Sequence, residues 1–331
     1  MRWLIVGHGK ITANFIEAAR GIGHEVVAVA GRNSERASTF ANKNGIEKSG
    51  EDLLILSEGV DAAYIATPHS EHCNGTTTLL DNGVPVLCEK PLAVNHRQVE
   101  QMVDTAKESN TFLMEAMWTR HLPIYEEITD WINKGLIGEP KLIDASLGFN
   151  APYEPESRLW NPKLAGGSLL DVGIYPLTLA DLIYENSPEN ISALVELSPD
   201  GVDAHVAMTL QYQNSALAKL GSAINLSLPN SALILGESGF IEIPNFWCAQ
   251  KAFLSQGSEK RESLRPHDIN GFEYQIHEVE KCLSEGLMQS PKVSWECSLS
   301  MIRLMDNIRS QIGVIYPVDS CLLYTSPSPR D

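Results

Sequence analysis

The first third of the sequence alternates short apolar runs with segments of helical periodicity. Strand-like runs occupy residues 2–7, 25–31, 61–68, 84–90 and 111–116. Segments with apolar residues at helical spacing lie between them, at residues 10–23, 34–45, 71–82 and 95–109, the second with Ser34 as its N-cap. Strands that alternate with helices form a parallel sheet covered on both faces. The pattern therefore predicts a doubly wound nucleotide-binding domain, whose ligands lie beyond the carboxyl ends of the strands.

The rest of the chain has a different pattern. Helices are predicted near residues 122–135, 271–285 and 296–312. Strand-like runs broken by Gly, Asn, Pro and Ser lie between the first two helices, at residues 139–149, 190–198, 203–213, 215–226, 231–238 and 239–244. This pattern predicts an α+β domain with a large, mostly antiparallel open sheet. We place the domains at residues 1–118 and 119–317, because the alternation stops between them.

Length, charge and cysteine usage narrow the class of protein. A chain of 331 residues is long enough for two domains. The net charge of −17 disfavours nucleic acid and anionic membranes as partners, and the apolar runs are too short to span a bilayer. The six cysteines lack CxxC or zinc spacing, and the chain opens with a strand rather than a signal peptide. We therefore expect a cytoplasmic protein that acts on a small molecule.

The end of the sequence has a composition of its own. The last predicted helix is followed by Gly313 and Pro317, and residues 318–331 are rich in Ser and Pro and lack periodicity. The run "SCLLYTSPSPRD" also resembles a translated sequencing adapter. We therefore expect residues 318–331 to be a non-native tail outside the fold.

A glycine turn joins the first predicted strand to the first helix. Gly7 and Gly9 in "VGHGKIT" match two positions of a dinucleotide fingerprint, and Thr12 stands where the third glycine would be. Gly7 permits the tight turn. Gly9, followed by Lys10 and Ile11, lets the backbone approach a pyrophosphate at the helix N-terminus. A purely structural turn is the alternative, but the strand–turn–helix context favours a cofactor.

The end of the second strand bears on the choice of cofactor. An NAD site usually has an acidic residue there for the ribose 2′-hydroxyl. Here the segment is Gly31-Arg32-Asn33, with Arg36 close by. A guanidinium can pair with a 2′-phosphate, so the sequence favours NADP over NAD. A solvated loop arginine is the alternative interpretation.

The segment "ATPHSEH" ends the strand at residues 61–68. We expect its side chains to line the nicotinamide side of the cofactor site, through Thr67, Pro68, His69 and His72. The two histidines also have the spacing of a metal-binding pair. The segment offers no third ligand, whereas zinc needs at least three, so we expect no metal.

The segment "CEKPLAVN" places Glu89 and Lys90 side by side, directly after an apolar strand. Soluble proteins usually scatter such charges over the surface, and a surface ion pair is the alternative interpretation. The position at a strand end instead predicts that both side chains reach the cleft. Pro91 stops the strand, and the sequence leaves open whether the Lys90–Pro91 bond is cis or trans.

These motifs occur in the order typical of one family. "VPVLCEKPLAVN" and "AGGSLLDVGIYPLTLADLIY" resemble two motifs of the glucose–fructose oxidoreductase and inositol dehydrogenase (Gfo/Idh/MocA) family. "MEAMWTRHLP" and "GFEYQIHEVEKCLSEG" are similar to its branch of dimeric trans-dihydrodiol dehydrogenases and NADP-dependent D-xylose 1-dehydrogenases. The resemblance covers residues 1–317. Thr12 is often alanine in the family, and Tyr175 is often histidine, but the dihydrodiol branch carries tyrosine.

The resemblance implies a catalytic Lys90 beside the nicotinamide, with Glu89 fixing the cofactor side. It also brings Asp171 and Tyr175 into the site. These two are four residues apart, so a helical turn would place both on one face. Pro176 suits the first turn of the following helix. We therefore expect the helix N-terminus and Lys90 to lower the pKa of Tyr175.

In the resulting mechanism Tyr175 takes the substrate hydroxyl proton with assistance from Lys90, Asp171 orients the lysine or the substrate, and a hydride passes to the nicotinamide. A core tyrosine with a satisfied hydroxyl is the alternative. The substrate wall is expected to contain aromatic residues and one arginine, namely Trp118, Arg120, Phe149, Trp160, Trp247 and Phe272. Buried aromatics are core residues in most proteins, which is the alternative here.

We expect an NADP-dependent oxidoreductase that takes a hydride from a CH–OH group of a small aldose, polyol or trans-dihydrodiol. One alternative is an inositol or other sugar dehydrogenase, and another is a non-catalytic NADP-binding regulator on the same fold. Joint retention of Lys90, Asp171 and Tyr175 favours an enzyme. The resemblance also implies a homodimer, formed through the open sheet that residues 190–254 would supply.

Overall fold

The computed structural model describes residues 1–320, which form two sheets. The first has six parallel strands: β1 (Arg2–Val6), β2 (Glu25–Ala30), β3 (Lys48–Gly50), β4 (Ala62–Ile65), β5 (Val86–Glu89) and β6 (Leu113–Ala116). Their order is β3-β2-β1-β4-β5-β6. The predicted doubly wound Rossmann sheet is therefore confirmed.

Five helices connect these strands: α1 (Lys10–Gly21), α2 (Ser34–Asn44), α3 (Leu53–Ser57), α4 (His72–Leu80) and α5 (His96–Glu108). Every residue of β4 and β5 is buried, as a parallel sheet covered on both faces requires. The N-cap of α2 is Asn33 rather than Ser34. The backbone of Asn33 is still extended, and its side chain accepts the amide of Arg36 at 2.8 Å.

The order of the strands reverses between β1 and β4, where the loops after the two strands lie against each other. A Cβ atom on Gly7 would lie 2.5 Å from the carbonyl oxygen of Ala66, and the φ angle of Gly7 is +101°. Only glycine fits both the angle and the space. This switch point is where doubly wound sheets bind ligands.

The second sheet has eight strands: β7 (Pro140–Gly148), β8 (Asn190–Leu197), β9 (Asp203–Gln211), β10 (Leu217–Ala223), β11 (Ser231–Gly236), β12 (Gly239–Pro244), β13 (Lys251–Gln256) and β14 (Glu259–Leu264). Their order is β14-β13-β12-β11-β7-β10-β9-β8, and only the β7–β10 pair is parallel. The predicted large, mostly antiparallel sheet is confirmed. Strands β13 and β14 were not predicted; β14 is an exposed, polar edge strand without an apolar repeat, so no pattern marked this end of the sheet.

Five more helices lie in the part of the chain that the structure describes: α6 (Pro123–Asn133), α7 (Ile174–Tyr184), α8 (Glu273–Ser284), α9 (Trp295–Ile312) and α10 (Pro317–Ser320). Helices α6, α7 and α9 contact strands of the second sheet. Its open face carries partly exposed apolar side chains from Leu142, Leu194, Leu217, Leu233, Leu235, Phe240 and Phe253. No helix within residues 1–320 is long and apolar enough to cross a membrane.

The C-terminal segment corrects the expected start of the tail. Asp319 Oδ2 accepts hydrogen bonds from Arg309 Nη1 at 2.7 Å and from the amide of Tyr316 at 2.9 Å. Its Oδ1 accepts Asn95 Nδ2 at 2.7 Å. The prediction that the fold ends before residue 318 is therefore wrong by at least two residues. The rest of the predicted tail, residues 321–331, lies outside the described residues.

Candidate active site

A cleft of about 1420 Å³ lies at the carboxyl edge of the first sheet and extends against the second sheet. The loops after β1, β2, β4 and β5 line one side. Side chains from β7, α7 and the segment before α8 line the other. The cleft is larger than most sites for a single small ligand, so it has room for a cofactor and a substrate together.

The glycine turn presents open backbone to the cleft. Gly9 is the N-cap of α1 and supplies no side-chain cap, and a Cβ atom there would meet nothing within 4 Å. Lys10 and Ile11 begin the helix and line the cleft. Thr12 is fully buried and directs its hydroxyl toward the carbonyl oxygen of Gly7, 3.5 Å away. It therefore occupies the third fingerprint position without obstructing the turn.

Cationic side chains lie at the end of the cleft beside β2. Arg32 is 73% exposed, with Nη1 3.6 Å from Glu71 Oε1, and Arg36 also lines the cleft. The Asn33 side chain is occupied by its capping bond, although the residue lines the cleft. His8 lies beneath Gly31, where a Cβ atom would come within 2.8 Å of the His8 ring. The sequence interpretation missed His8, although it stands between the two fingerprint glycines.

The end of β5 delivers Glu89 and Lys90 into the cleft, and their burial rules out a surface ion pair. The Glu89 carboxylate accepts the Tyr64 hydroxyl at 2.6 Å and the amide of Lys90 at 3.3 Å. The Lys90 side chain is 12% exposed, and its bond to Pro91 is cis. The amide of Leu92 donates to the buried Glu115 at 2.9 Å, which holds the chain after the turn.

Asp171 lies in a single π-helical turn, Leu169–Gly173, which continues directly into α7. Tyr175 is the second residue of α7, as the sequence predicts, but the preceding turn continues the helix, so the tyrosine does not stand at its free end. The helical segment begins before the tyrosine, where the Asp203 carboxylate accepts the hydroxyl of Ser168 at 2.9 Å and the amide of Leu169 at 2.6 Å. Asp171 and Tyr175 both line the cleft.

Five side chains meet at the floor of the cleft. Lys90 Nζ donates to the backbone carbonyl of Asp171 at 2.6 Å and lies 3.7 Å from its carboxylate. The same carboxylate oxygen accepts Arg158 Nη1 at 2.9 Å. Lys90 Nζ also lies over the ring of Tyr175, 5.0 Å from the centroid. The tyrosine hydroxyl accepts the indole N–H of Trp118 at 3.2 Å, so one of its lone pairs is paired with a donor.

The two histidines after β4 have different environments. His69 donates Nδ1–H to the carbonyl of Ala165, 3.0 Å away, and burial lowers its pKa to about 3. His72 is fully buried, with Nδ1 2.9 Å from the carbonyl of Pro91 and Nε2 3.0 Å from that of Thr67. His72 therefore braces the two loops on either side of it. Within residues 1–320, no three His, Cys, Asp or Glu side chains come together as metal ligands would.

Aromatic rings form the wall above Tyr175. Trp118 packs against Phe272 and Trp247, with centroids 4.9 and 5.7 Å apart, and Trp247 lies 6.1 Å from Tyr175. Phe149 lines the cleft and is 36% exposed.

Two residues expected in this wall lie elsewhere. Trp160 donates its indole N–H to the carbonyl of Pro152 and packs on Tyr153, so the bulky side chain holds a loop. Arg120 forms an ion pair with Asp181 and is 11% exposed. Neither Trp160 nor Arg120 lines the cleft. Arg158 does, and the sequence interpretation missed it because it follows no motif or periodicity.

Two family models match the sequence. The model described as "Oxidoreductase family, NAD-binding Rossmann fold" matches residues 1–117. The model described as "GFO/IDH/MocA C-terminal domain" matches residues 125–242. The chain belongs to the Gfo/Idh/MocA family of oxidoreductases. The domain limits at residues 118 and 119 stay a prediction.

A relative supports this assignment, and two solved structures share the fold. The trans-1,2-dihydrobenzene-1,2-diol dehydrogenase of Xenopus tropicalis is 34% identical over 330 residues, which is 96% of this chain and 99% of the relative. A 3-ketoreductase from Actinomadura kijaniata, in complex with NADP, has a TM-score of 0.84 at 24% identity and covers 94% and 98% of the two chains. A levoglucosan dehydrogenase, in complex with NADH and L-sorbose, has a TM-score of 0.85 at 18% identity and covers 95% and 96%. This family member is an enzyme of the dehydrogenase type.

The glycine turn fits the nicotinamide dinucleotide that this family binds. The uncapped N-terminus of α1 offers backbone amides and positive potential to a pyrophosphate, and the open space at Gly9 allows close approach. The cleft runs from this turn past Thr67 and Pro68 to Lys90. A dinucleotide bound at the turn would therefore extend toward the cluster around Tyr175.

Among the side chains of this cluster, Tyr175 has a pKa that differs from the one expected from the sequence. Burial raises the pKa of Tyr175 above its ordinary value, and the opposing effects of Lys90 and the Trp118 hydrogen bond do not cancel it. The expected lowering is therefore wrong for the protein alone. Burial favours neutral Lys90, but Tyr175, Asp171 and Glu89 raise its pKa. Burial likewise opposes ionisation of Asp171, but Lys90 and Arg158 lower its pKa, so the lysine is cationic and the aspartate anionic.

Proposed function

We propose that this protein is an NADP-dependent dehydrogenase that takes a hydride from a CH–OH group of a small aldose, polyol or trans-dihydrodiol. The observation that carries the proposal is the convergence of the Tyr175 hydroxyl, the Lys90 ammonium and Asp171 in the cleft that the glycine turn opens into. A proton acceptor and a fixed cation beside one alcohol are what such an oxidation needs.

Tyr175 would accept the proton of the substrate hydroxyl. Lys90 and the indole N–H of Trp118 both stabilise the phenolate over the phenol. The carbonyl of Asp171 fixes the lysine, and Glu89, held by Tyr64, fixes the strand end before it. A bound, oxidised nicotinamide would supply the hydride acceptor and a positive charge. We expect that charge to bring the pKa of Tyr175 back toward the working range.

His69 is a weaker candidate for the base. Its Nδ1–H is committed to Ala165, and burial lowers its pKa to about 3. A base with so low a pKa gains little by accepting a proton near neutral pH. His69 Nε2 remains an acceptor that suits the orientation of a substrate hydroxyl.

The choice of NADP rests on Arg32 and Arg36. Both line the cleft end beside β2, and the segment after this strand has no acidic residue before Glu35. We expect Arg32→Ala to weaken NADP binding roughly ten- to a hundredfold, because one charge-assisted contact is lost, and to leave NAD binding nearly unchanged. Arg97→Ala removes an exposed arginine of α5 and serves as the control. Equal losses for NADP and NAD would refute the 2′-phosphate role.

The substrate class rests on the aromatic wall and on the relatives. Trp118, Trp247 and Phe272 offer flat faces that suit a sugar ring or an arene diol equally. The curated relative is named a dihydrodiol dehydrogenase, and a structural neighbour binds L-sorbose. A panel of D-xylose, D-glucose, inositol and a trans-dihydrodiol, with NADPH absorbance as the readout, separates these substrates. Oxidation of inositol alone would favour the alternative of a cyclitol dehydrogenase.

The decisive experiment compares three tyrosine and lysine variants. Tyr175→Phe keeps the ring and removes the proton acceptor, so turnover should fall by about 10²–10⁴-fold while NADP binding, followed by fluorescence, persists. Lys90→Met should lose at least as much, and the double variant should be little worse than the worse single one. Tyr184→Phe, on the same helix with its hydroxyl on Leu217, is the matched control. A Tyr175→Phe variant with most of its activity would exclude tyrosine as the base.

The quaternary structure and location are part of the proposal. The open face of the second sheet carries Leu194, which is 77% exposed, and Phe240, which is 40% exposed. A second copy packed on this face would remove them from water. We propose a homodimer of this kind in the cytoplasm.

A further inference from the structure

Arg158 takes no part in the proposed transfer of the proton and hydride, yet it contacts Asp171 at the floor of the cleft. It lies in the segment between β7 and the π-helical turn, and no sequence motif marks it. Its Nη1 lies 2.9 Å from Asp171 Oδ1. Lys90 Nζ lies 3.7 Å from that same oxygen and is bonded instead to the backbone carbonyl of Asp171 at 2.6 Å. The arginine therefore holds the short contact with the carboxylate, and the lysine the longer one.

We propose that Arg158 is a positioning residue for proton transfer: by pairing with the Asp171 carboxylate, it keeps the Lys90 ammonium available to stabilise the Tyr175 phenolate. The inference rests on the proposed role of Tyr175. Without Arg158, the full negative charge of Asp171 would face Lys90 alone across 3.7 Å. A closed Lys90–Asp171 pair would cancel most of the positive field at the phenol.

The charges around Tyr175 support these separate roles of Arg158, which pairs with Asp171, and Lys90, which stabilises the phenolate. The end of β5 contributes Lys90 and Glu89, the latter with its carboxylate on the Tyr64 hydroxyl. The π-helical turn contributes Asp171. The loop after β4 contributes the neutral His69. Two carboxyl groups therefore face one lysine unless Arg158 is counted; burial raises the pKa of Glu89, whereas Lys90 and Arg158 lower that of Asp171, so Asp171 is the anion that the arginine balances.

The exposure of the three partners predicts the size of the effect. The side chain of Arg158 is 56% exposed, whereas those of Asp171 and Lys90 are 8% and 12% exposed. Solvent screens the arginine, so its effect on Tyr175 is smaller than that of a buried cation. We expect Arg158→Met to raise the apparent pKa in the pH profile of kcat/KM for alcohol oxidation by about one pH unit. Activity on the acidic side of that ionisation should then fall about tenfold and recover at higher pH.

The test is the pH profile of kcat/KM for the wild type, Arg158→Met and Arg158→Lys. Lysine at this position restores a cation without the planar fork, so its profile should lie between the other two. Arg261→Met removes an arginine of β14 that is 50% exposed and paired with Glu259, and it should leave the profile unchanged. NADP fluorescence and melting temperature verify that each variant is folded.

The outcomes separate this inference from the proposed function. An upward shift of the apparent pKa in Arg158→Met, smaller in Arg158→Lys, supports the positioning role of Arg158. A raised KM with an unmoved profile would make Arg158 a substrate ligand and overturn the inference, and an unchanged profile with unchanged KM would overturn it as well. In both cases Tyr175→Phe would still be inactive. Activity in Tyr175→Phe would instead refute the proposed mechanism itself.

Discussion

The ion-pair network at the C-terminal end of the described chain makes a quantitative prediction about stability. The side chain of Arg309 is 6% exposed and lies between Asp306 Oδ1 at 2.6 Å and Asp319 Oδ2 at 2.7 Å. Asp319 also accepts the side-chain amide of Asn95, directly before α5. Asp319→Ala therefore removes one of two partners of a buried cation and unties the C-terminal segment from the first domain.

The expected loss follows from this geometry. Removing one partner of a buried ion pair costs about 3–5 kcal/mol when the other charge is left alone. Asp306 remains beside Arg309, and Asp319 is 23% exposed, so about 2 kcal/mol is the expected loss. For a large domain, 1 kcal/mol lowers the melting temperature by about 2–4 °C. Asp319→Ala should therefore melt about 4–8 °C lower.

Calorimetry or urea unfolding measures this difference. The control is Asp104→Ala, which breaks an exposed pair with Lys107 and should change the melting temperature little. Burial alone would raise the pKa of Asp319, but hydrogen bonds from Arg309, Tyr316 and Asn95 outweigh burial and lower it. Its stabilisation is thus present above the ordinary aspartate pKa and is lost on acidification below it, so the two proteins should converge in acid. An unchanged melting temperature at neutral pH would refute this account.

Three further predictions concern the turn, the buried aspartate and the open sheet. Gly9→Ala should fold normally, because its Cβ meets nothing within 4 Å. It should weaken NADP binding in a fluorescence titration. Unchanged binding would show that the pyrophosphate does not bind at this turn. Burial raises the pKa of Asp203 from 3.8 to about 6, so its contribution to wild-type stability in urea should fall as pH rises through this window, by at most about 3 kcal/mol. Asp203→Asn should reduce this dependence, and the remainder belongs to other buried acids such as Glu89 and Glu115, whose pKa values burial also raises. Leu194→Glu should turn the proposed dimer into a monomer by light scattering, and a monomeric wild type would contradict the proposal.

Local sequence determined the elements and the chemistry that each could present. The alternation of strands and helices predicted the first sheet because a parallel strand is apolar along its whole length. Gly7 marked the turn because only glycine allows its positive φ and its close contact with Ala66, and Gly9 marked the open backbone that follows. Lys90, Asp171 and Tyr175 stood out because they lie in short motifs, and the cleft does hold all three.

Tertiary structure decided how those groups act on each other. The pKa of Tyr175 rises because burial outweighs Lys90, and burial is a sum over neighbours from the whole fold. Trp118 contacts Tyr175, which is 57 residues away in sequence, and Arg158 contacts Asp171, which is 13 residues away. Local sequence patterns therefore predict neither contact. Trp160 is an aromatic residue of the kind that lines substrate sites, but its indole N–H donates to the carbonyl of Pro152 in its own loop.

The same reason explains the errors at the edges of elements and at the end of the chain. Strand β14 carries almost no buried residue, so it has no apolar repeat to detect. Asp319 directly precedes the adapter-like run, and its role became visible only when the fold placed Arg309 and Asn95 beside it, the latter 224 residues away in sequence. Sequence determines what a residue can do, whereas the partners that fold around it determine its charge, its burial and whether it reaches the site.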